Sequence, residues 1–325
     1  MEILVALIMA QLTSAITQSV AGYMGAAFGV STVAGPLLGG FLVDADQLGW
    51  QWCFWVSVPF ALVAFVIVQR VLNLPAPRHN PVAVDWLGAT MLTAGTTSLM
   101  LLLTLGGTEF AWSSAWSWGL GVTSLVLLAV AVLAERRAAD PILPPRLFRN
   151  RTFNLTTVAN FLTGVAMFGS LIFVPQYLQI VKGMSPTRSG LMTLPMVLGM
   201  LVASIACGQV VTRTGRWKIF PMVGLALVAG AMVLMSRLHV HTGPPVIGLQ
   251  LALLGVGLGL TMQTLILAVQ NAVTRTDLAV AASSATYFRS MGGAVGIAAF
   301  GAMLTNRLTS ELTSRSAPPR VDPEP

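Results

Sequence analysis

The chain has 325 residues, of which 55% are hydrophobic and only 9% charged, against about 25% charged residues in an ordinary soluble domain. So few charges cannot cover the surface of a soluble protein of this length. The net charge of +7 does not make a nucleic-acid binder, because the basic residues sit in short loops between apolar runs rather than on one face beside aromatics.

In chain order, Glu2 stands where a secretory signal would be basic, and no cleavage-type boundary follows Ile3 to Ala10. Ile3 to Val43 then carries no charge over 41 residues, interrupted by the polar patch Gln11 to Ser19. We read 3–10 as a helix stub and 20–43 as the first full span. A spanning helix needs about 20 mostly apolar residues. Nine segments qualify, at roughly 20–43, 52–71, 85–105, 117–134, 154–178, 189–211, 219–238, 246–270 and 279–304. The runs are long and continuous, without the period of two that a barrel strand shows, so the expected class is an all-α, polytopic transmembrane helix bundle.

The connectors carry proline-rich loop chemistry, as in Asn73 to Pro81, Asp140 to Pro145 and His241 to Pro245. Lysine and arginine set the orientation. Arg70, Arg78, Arg136, Arg137, Arg146, Arg149, Arg151, Arg213, Arg216, Lys218 and Arg275 fall on one side, and only Lys182, Arg188 and Arg237 on the other. The first set is expected inside, which puts loops 44–51, 106–116, 179–188 and 239–245 outside. Trp50, Trp52, Trp55, Trp112, Trp116 and Trp118 flank outer loops as an interfacial aromatic belt.

Span 20–43 holds Gly22, Ser31, Gly35, Pro36, Gly39 and Gly40. Ser31, Gly35 and Gly39 are four apart and share one helix face. Small residues there admit a second helix, and Pro36 bends the backbone. This arrangement resembles the antiporter motif in the fifth helix of the major facilitator superfamily, with Ser31 where the family has glycine. Gly208, Arg213, Gly215, Arg216 and Lys218 resemble the superfamily's cytoplasmic loop signature, with Thr212 in place of its aspartate. Gly215 supplies the tight turn, and the basic residues hold the loop at an anionic inner surface. Further segments resemble the 14-helix drug:proton antiporter (multidrug efflux) branch: Gly49 to Pro59, Asp85 to Gly88, Glu135 to Pro141, Leu147 to Phe153, and Gly183 to Pro195.

The resemblance implies a partial major facilitator fold of about nine spans, truncated at both ends: fourteen helices, less four at the start and one at the end. Residues 1–19 are then a helix stub and polar connector, and 20–71 the last two helices of the N-terminal bundle. Residues 72–153 are two central linker helices with a basic cytoplasmic loop. Residues 154–304 are five helices of the C-terminal bundle, and 305–325 form a polar tail expected to be disordered. The resemblance also implies proton-coupled efflux of amphipathic small molecules across a bacterial cytoplasmic membrane. Its partners are the lipid bilayer, the substrates and protons in the full-length protein; no nucleic acid and no cofactor are implied, and a complementing half-transporter belongs to the alternative reading of a non-transporting interaction fragment.

Arg289 is the only charge deep inside a span, at an insertion cost of about 2.5–3.5 kcal/mol. It serves either as an anchor or as a substrate contact. Gln176, Tyr177 and Gln263 are candidate polar groups of a cavity, and Met167, Phe168, Phe173, Met192, Met196 and Met262 an adaptable apolar wall. Plain core packing is the competing reading for each. Cys53 and Cys207 have no metal spacing, Asp44 and Asp46 have no supporting ligand, and His79, His239 and His241 are loop residues, so no metal site and no catalytic residue is expected. Asp85 only begins a span, no other Asp or Glu lies within the nine, and the chain alone is expected not to transport. Two other classes stay open: a non-transporting membrane interaction or regulatory fragment, and a membrane-embedded enzyme.

Overall fold

The computed structural model describes residues 34–35, 37–45, 49–71, 85–107, 109–137, 143–274 and 277–316. Among them α1 covers 34–35 and 37–44, α2 Trp52–Trp55, α3 Ser57–Val71, α4 Trp86–Leu105, α5 Ala115–Arg137, α6 Arg151–Ile180, α7 Pro186–Thr214, α8 Ile219–Met235, α9 Pro244–Asn271 and α10 Leu278–Ser316. A 3₁₀ turn at Leu147–Arg149 precedes α6.

Six stretches among the described residues are long and apolar enough to cross a membrane: Trp52–Val71, Trp86–Leu105, Ala115–Arg137, Arg151–Ile180, Pro186–Thr214 and Pro244–Asn271. The thirty residues of α6 rise about 45 Å at 1.5 Å per residue, more than the hydrocarbon thickness requires. The apolar helix α8 is shorter, at 17 residues. The apolar character of α10 is diluted by Arg289 and by many small residues. It runs to Ser316, so the first part of the segment expected to be a disordered tail is helical. Large apolar side chains on the helix faces, such as Phe60 and Leu125, are about 70% exposed, which suits a protein whose solvent is lipid.

Local chemistry marks the helix ends. Asp85 caps α4, its Oδ1 accepting from the Gly88 N–H at 2.8 Å. Ser185 caps α7, with Pro186 in the first turn. Gly215 closes α7 at φ +67°, and its N–H donates to the Val211 carbonyl at 2.8 Å. That left-handed conformation favours glycine.

The chain forms two compact units. One takes α1 to α3, Val174–Arg216 and Met222–Leu260; the other takes α4, α5 and the chain to Phe173, Trp217–Pro221, and the chain from Thr261 onward. In the first unit, glycines bring backbones together. A Cβ on Gly255 would overlap the Met196 carbonyl oxygen, one on Gly259 the Met200 carbonyl oxygen, and one on Gly199 would lie 2.7 Å from the Ala252 carbonyl oxygen. These contacts advance in the same direction along α7 and α9, so the two helices run parallel. Helix α8 meets the other side of α9, where a Cβ on Gly257 would lie 2.8 Å from the Gly224 carbonyl oxygen.

In the second unit, α6 and α10 form a similar parallel seam. A Cβ on Gly292 would overlap the Phe161 carbonyl oxygen, one on Gly296 would meet Val165 Cα at 3.0 Å, and one on Gly169 would meet the Phe300 ring at 2.6 Å. Helices α4 and α5 are joined where the Ser124 hydroxyl donates to the Gly95 carbonyl at 2.9 Å. Leu147, Phe153, Val269, Ala281 and Ala285 form a fully apolar cluster beneath the 3₁₀ turn. Between lipid-immersed helices no hydrophobic force favours association, so this close backbone packing and a few hydrogen bonds hold the helices of each unit to one another.

Candidate functional site

The helix resembling the antiporter motif is described from residue 34. Gly22, Ser31 and Pro36 lie outside the described residues. Among the described residues, a Cβ built on Gly35 or Gly39 would have no neighbour within 4 Å. Gly40 differs. Its Cβ would meet the Pro186 carbonyl oxygen at 2.8 Å and Thr187 Cα at 2.9 Å, so backbone rests on backbone. One turn on, Asp44 Oδ2 accepts a hydrogen bond from the Thr187 N–H at 2.9 Å. Thr187, through its hydroxyl and then its backbone N–H, holds the exposed Asp44 carboxyl below the usual carboxylate range. The C-terminal end of α1 is thereby docked on the N-terminus of α7. Cys53 adds a weak contact, its Sγ donating to the Gly39 carbonyl at 3.8 Å.

The proposed cavity residues divide between the two units. In the second unit three of them lie on the α6–α10 seam. The Phe168 ring fills the space beside Gly293, Phe173 stacks edge-on to Phe300 at 5.9 Å between centroids, and the Arg289 carbonyl rests on Gly164. Met167 and Met262 are half-buried, and Gln263 is exposed. In the first unit Met196 is buried in the α7–α9 seam and Met192 is half-buried. Gln176 is exposed, and Tyr177 donates its hydroxyl to the His239 carbonyl at 3.1 Å. That bond ties Tyr177 to the loop after α8. Lys182 binds the same loop, donating to the Val240 carbonyl and, at 2.6 Å, to the Thr242 carbonyl.

The loop motif sits at the end of α7. Gly215 makes the turn expected of it. Thr212, where the family has an acid, turns its hydroxyl back to the Gly208 carbonyl at 3.0 Å. Arg213, Arg216 and Lys218 are exposed, and the Lys218 ammonium lies 5.9 Å from the centroid of the Trp217 ring.

Several polar groups have partners that the sequence reading did not foresee. Glu135, placed just beyond a span, is inside α5 and only 6% exposed. Its Oε2 accepts from the Leu143 N–H at 2.9 Å. Its Oε1 and Asp85 Oδ2 both approach the space a Gly88 side chain would fill, with Oε1 3.2 Å from that Cβ position. Asp85 Oδ2 is buried and has no hydrogen-bond partner among the described residues. Asp277, at the start of α10, pairs with Arg146 at 2.6 Å and accepts from the Thr274 hydroxyl at 3.0 Å. Asn160 is fully buried on α6; its amide nitrogen donates to the Thr156 carbonyl at 2.9 Å while its Oδ1 is unpartnered. The Tyr287 and Thr96 hydroxyls share a 2.6 Å hydrogen bond that joins α10 to α4. For the α7–α9 seam the Gly255-Val-Gly-Leu-Gly259 run was the available signal.

The Major Facilitator Superfamily pattern matches residues 3–297. The chain belongs to the Major Facilitator Superfamily. It is a multi-pass membrane protein of that superfamily, with a partial bundle of all-α architecture. Over 308 residues it is 46% identical to an uncharacterized MFS-type transporter of Mycobacterium tuberculosis (strain H37Rv), covering 94% of this chain and 44% of the relative. It is 35% identical over 299 residues to the multidrug transporter protein MdtP of Bacillus subtilis (strain 168), covering 91% of this chain and 54% of that protein. An aspyridones efflux protein of Neocamarosporium betae is 31% identical over 315 residues, 92% of this chain and 54% of the relative. The chain thus spans about half the length of the curated relatives it matches.

Proposed function

We propose that this major facilitator chain is part of a transporter that exports drugs or other amphipathic small molecules from a bacterial cytoplasmic membrane, coupled to proton entry in the full-length protein. The observation that carries this reading is 35% identity over 91% of the chain to a protein named a multidrug transporter. The packing is consistent with it. Seams built from glycine let helices slide or tilt without side chains having to clear one another. The half-buried Met167, Phe168 and Phe173 are the adaptable apolar surface on which ligands of varied shape pack. Arg289 then contacts substrate or anchors α10, and a cavity shared by facing helices is loaded from one side and emptied on the other.

The test is a chimera in which this chain replaces the matching segment of the Bacillus relative, expressed in a host stripped of its own pumps. Accumulation of a lipophilic cationic dye is expected to fall well below that of the empty host, and to recover on adding a protonophore. A chimera that reaches the membrane at the parent's level and melts like the parent, yet leaves dye accumulation at the empty-host value, would overturn the reading. Expressed by itself the chain is expected to export nothing; full resistance from it alone would contradict that expectation.

A further inference from the structure

We propose that Asp44 is an outer-end lock of the transport cycle, its carboxylate holding the tip of α1 on the N-terminus of α7 until the two part to release cargo. The proposal rests on the transport reading above. It starts from how the first turn of α7 is satisfied. A helix begins with N–H groups that have no partner in the helix itself. At α7, Pro186 has no N–H to satisfy, and the Arg188 N–H reaches the Ser185 hydroxyl at 3.4 Å. The Thr187 N–H is taken up by Asp44, a residue of another helix 143 positions away. A negative carboxylate is the favoured partner for that end of a helix.

The contact is built to part. Gly40 is one turn before Asp44 and lies backbone-to-backbone on Pro186 and Thr187, so no interdigitated side chain has to withdraw. Among the described residues no atom lies near the place of a Cβ on Gly35 or Gly39, so none of them props the α1 glycine face against tilting about the Gly40 contact. Asp44 is solvent-exposed, and an exposed charge–helix interaction shifts an equilibrium by a modest factor that transport can reverse. The charge bias of the loops puts this contact on the outer side. Its closure therefore seals the exit, and its opening is the step that frees cargo.

The charged groups around the lock are few. Arg188 lies one residue beyond Thr187 on α7 and is exposed, while Lys182 is engaged by the Val240 and Thr242 carbonyls; Asp46 lies outside the described residues. With the Asp44 carboxyl held below its usual range by Thr187, the lock stays charged at neutral and mildly acidic pH. It is opened by movement of the helices and not by outer protons.

The test uses the full chain in lipid nanodiscs, with Cys53→Ser and Cys207→Ser and spin labels at Val43→Cys and Leu191→Cys. A single short distance is expected for the parent. Asp44→Ala should add a longer-distance population several-fold larger than the parent's, and Asp44→Asn, which keeps an acceptor without charge, an intermediate one. Thr187→Pro removes both the donor N–H and the hydroxyl from the first turn of α7, where no helix-internal bond is lost, and should match Asp44→Ala. Either variant that keeps its fold decides the matter: superimposable parent and variant distances would overturn the lock. Dye export by the chimera separates the two readings. Export with unchanged distances sinks the lock alone. Altered distances in a chimera that exports nothing leave the outer contact intact but overturn its part in transport.

Discussion

Gly164 of α6 lies so close to the carbonyl oxygen of Arg289 on α10 that a Cβ at Gly164 would overlap it. The relation is reciprocated at the same crossing, where a Cβ on Gly292 would overlap the Phe161 carbonyl oxygen. An arginine in a membrane helix is ordinarily explained by its side chain, yet here its backbone has the tighter constraint. The bulk of α6 at residue 164 sets how near Arg289 can come.

Gly164→Ala is therefore expected to push α6 and α10 apart and to destabilise the detergent-solubilised chain. Overpacking of this kind costs about 1–3 kcal/mol. Gly255→Ala, against the Met196 carbonyl, should behave alike in the α7–α9 seam. Gly39→Ala, where no atom lies within 4 Å, is the control. Thermal unfolding followed by intrinsic fluorescence reads all three, and equal midpoints for Gly164→Ala and Gly39→Ala would contradict the packing argument.

The glycine at the end of α7 makes a different case, because it is conformation and not space that is scarce there. Gly215 has φ +67° and open surroundings. Gly215→Ala should cost about 1 kcal/mol through left-handed backbone strain alone. Gly208→Ala, a helical site equally open, should be neutral or slightly stabilising through helix propensity. The difference between the two melting temperatures checks the assignment.

How much of this was legible beforehand follows from what each feature depends on. Spans such as 85–105 and 117–134 came through as α4 and α5 because continuous apolar length is a property of the chain itself. The turn at Gly215 was readable because the basic motif around it fixed its context. Glu135 was misplaced because a hydropathy window ends at the first charge, whereas the helix continues through Arg137 and buries that carboxylate under the returning loop. Asp44 looked like an ordinary loop acid, and only the tertiary fold puts the Thr187 N–H beside it. Tyr177 was grouped with a cavity by its position after Pro175, but its partner at His239 is 62 residues on, and no local pattern reports such a distance.

Asp277 and Arg146 join the start of α10 to the loop before α6 at 2.6 Å, with Asp277 9% and Arg146 67% exposed at the side chain. The asymmetry decides which substitution matters more. Arg146→Gln leaves a nearly buried carboxylate with, among the described side chains, the Thr274 hydroxyl, whereas Asp277→Asn leaves a solvated guanidinium that water satisfies. Arg146→Gln should thus be the more destabilising, by about 1–3 kcal/mol, and should speed proteolysis in the loop around Leu143. Asp277→Asn should cost less. The reverse order in a limited-proteolysis time course would refute the burial argument.

The pH behaviour of the α1–α7 contact follows from the sign of the Asp44 shift. Its carboxyl is lowered from 3.8 by the Thr187 hydroxyl and N–H, so the folded state favours the charged form. Its contribution is then fully present above about 3.8 and is lost as pH falls through the lower folded value. The spin-label distance between α1 and α7 should accordingly be constant from neutral pH down to about 5, and lengthen only in stronger acid. Asp44→Asn has no proton to gain and should show one distance distribution across the whole range. A transition near pH 6 in the parent would mean that a group other than Asp44 governs the contact.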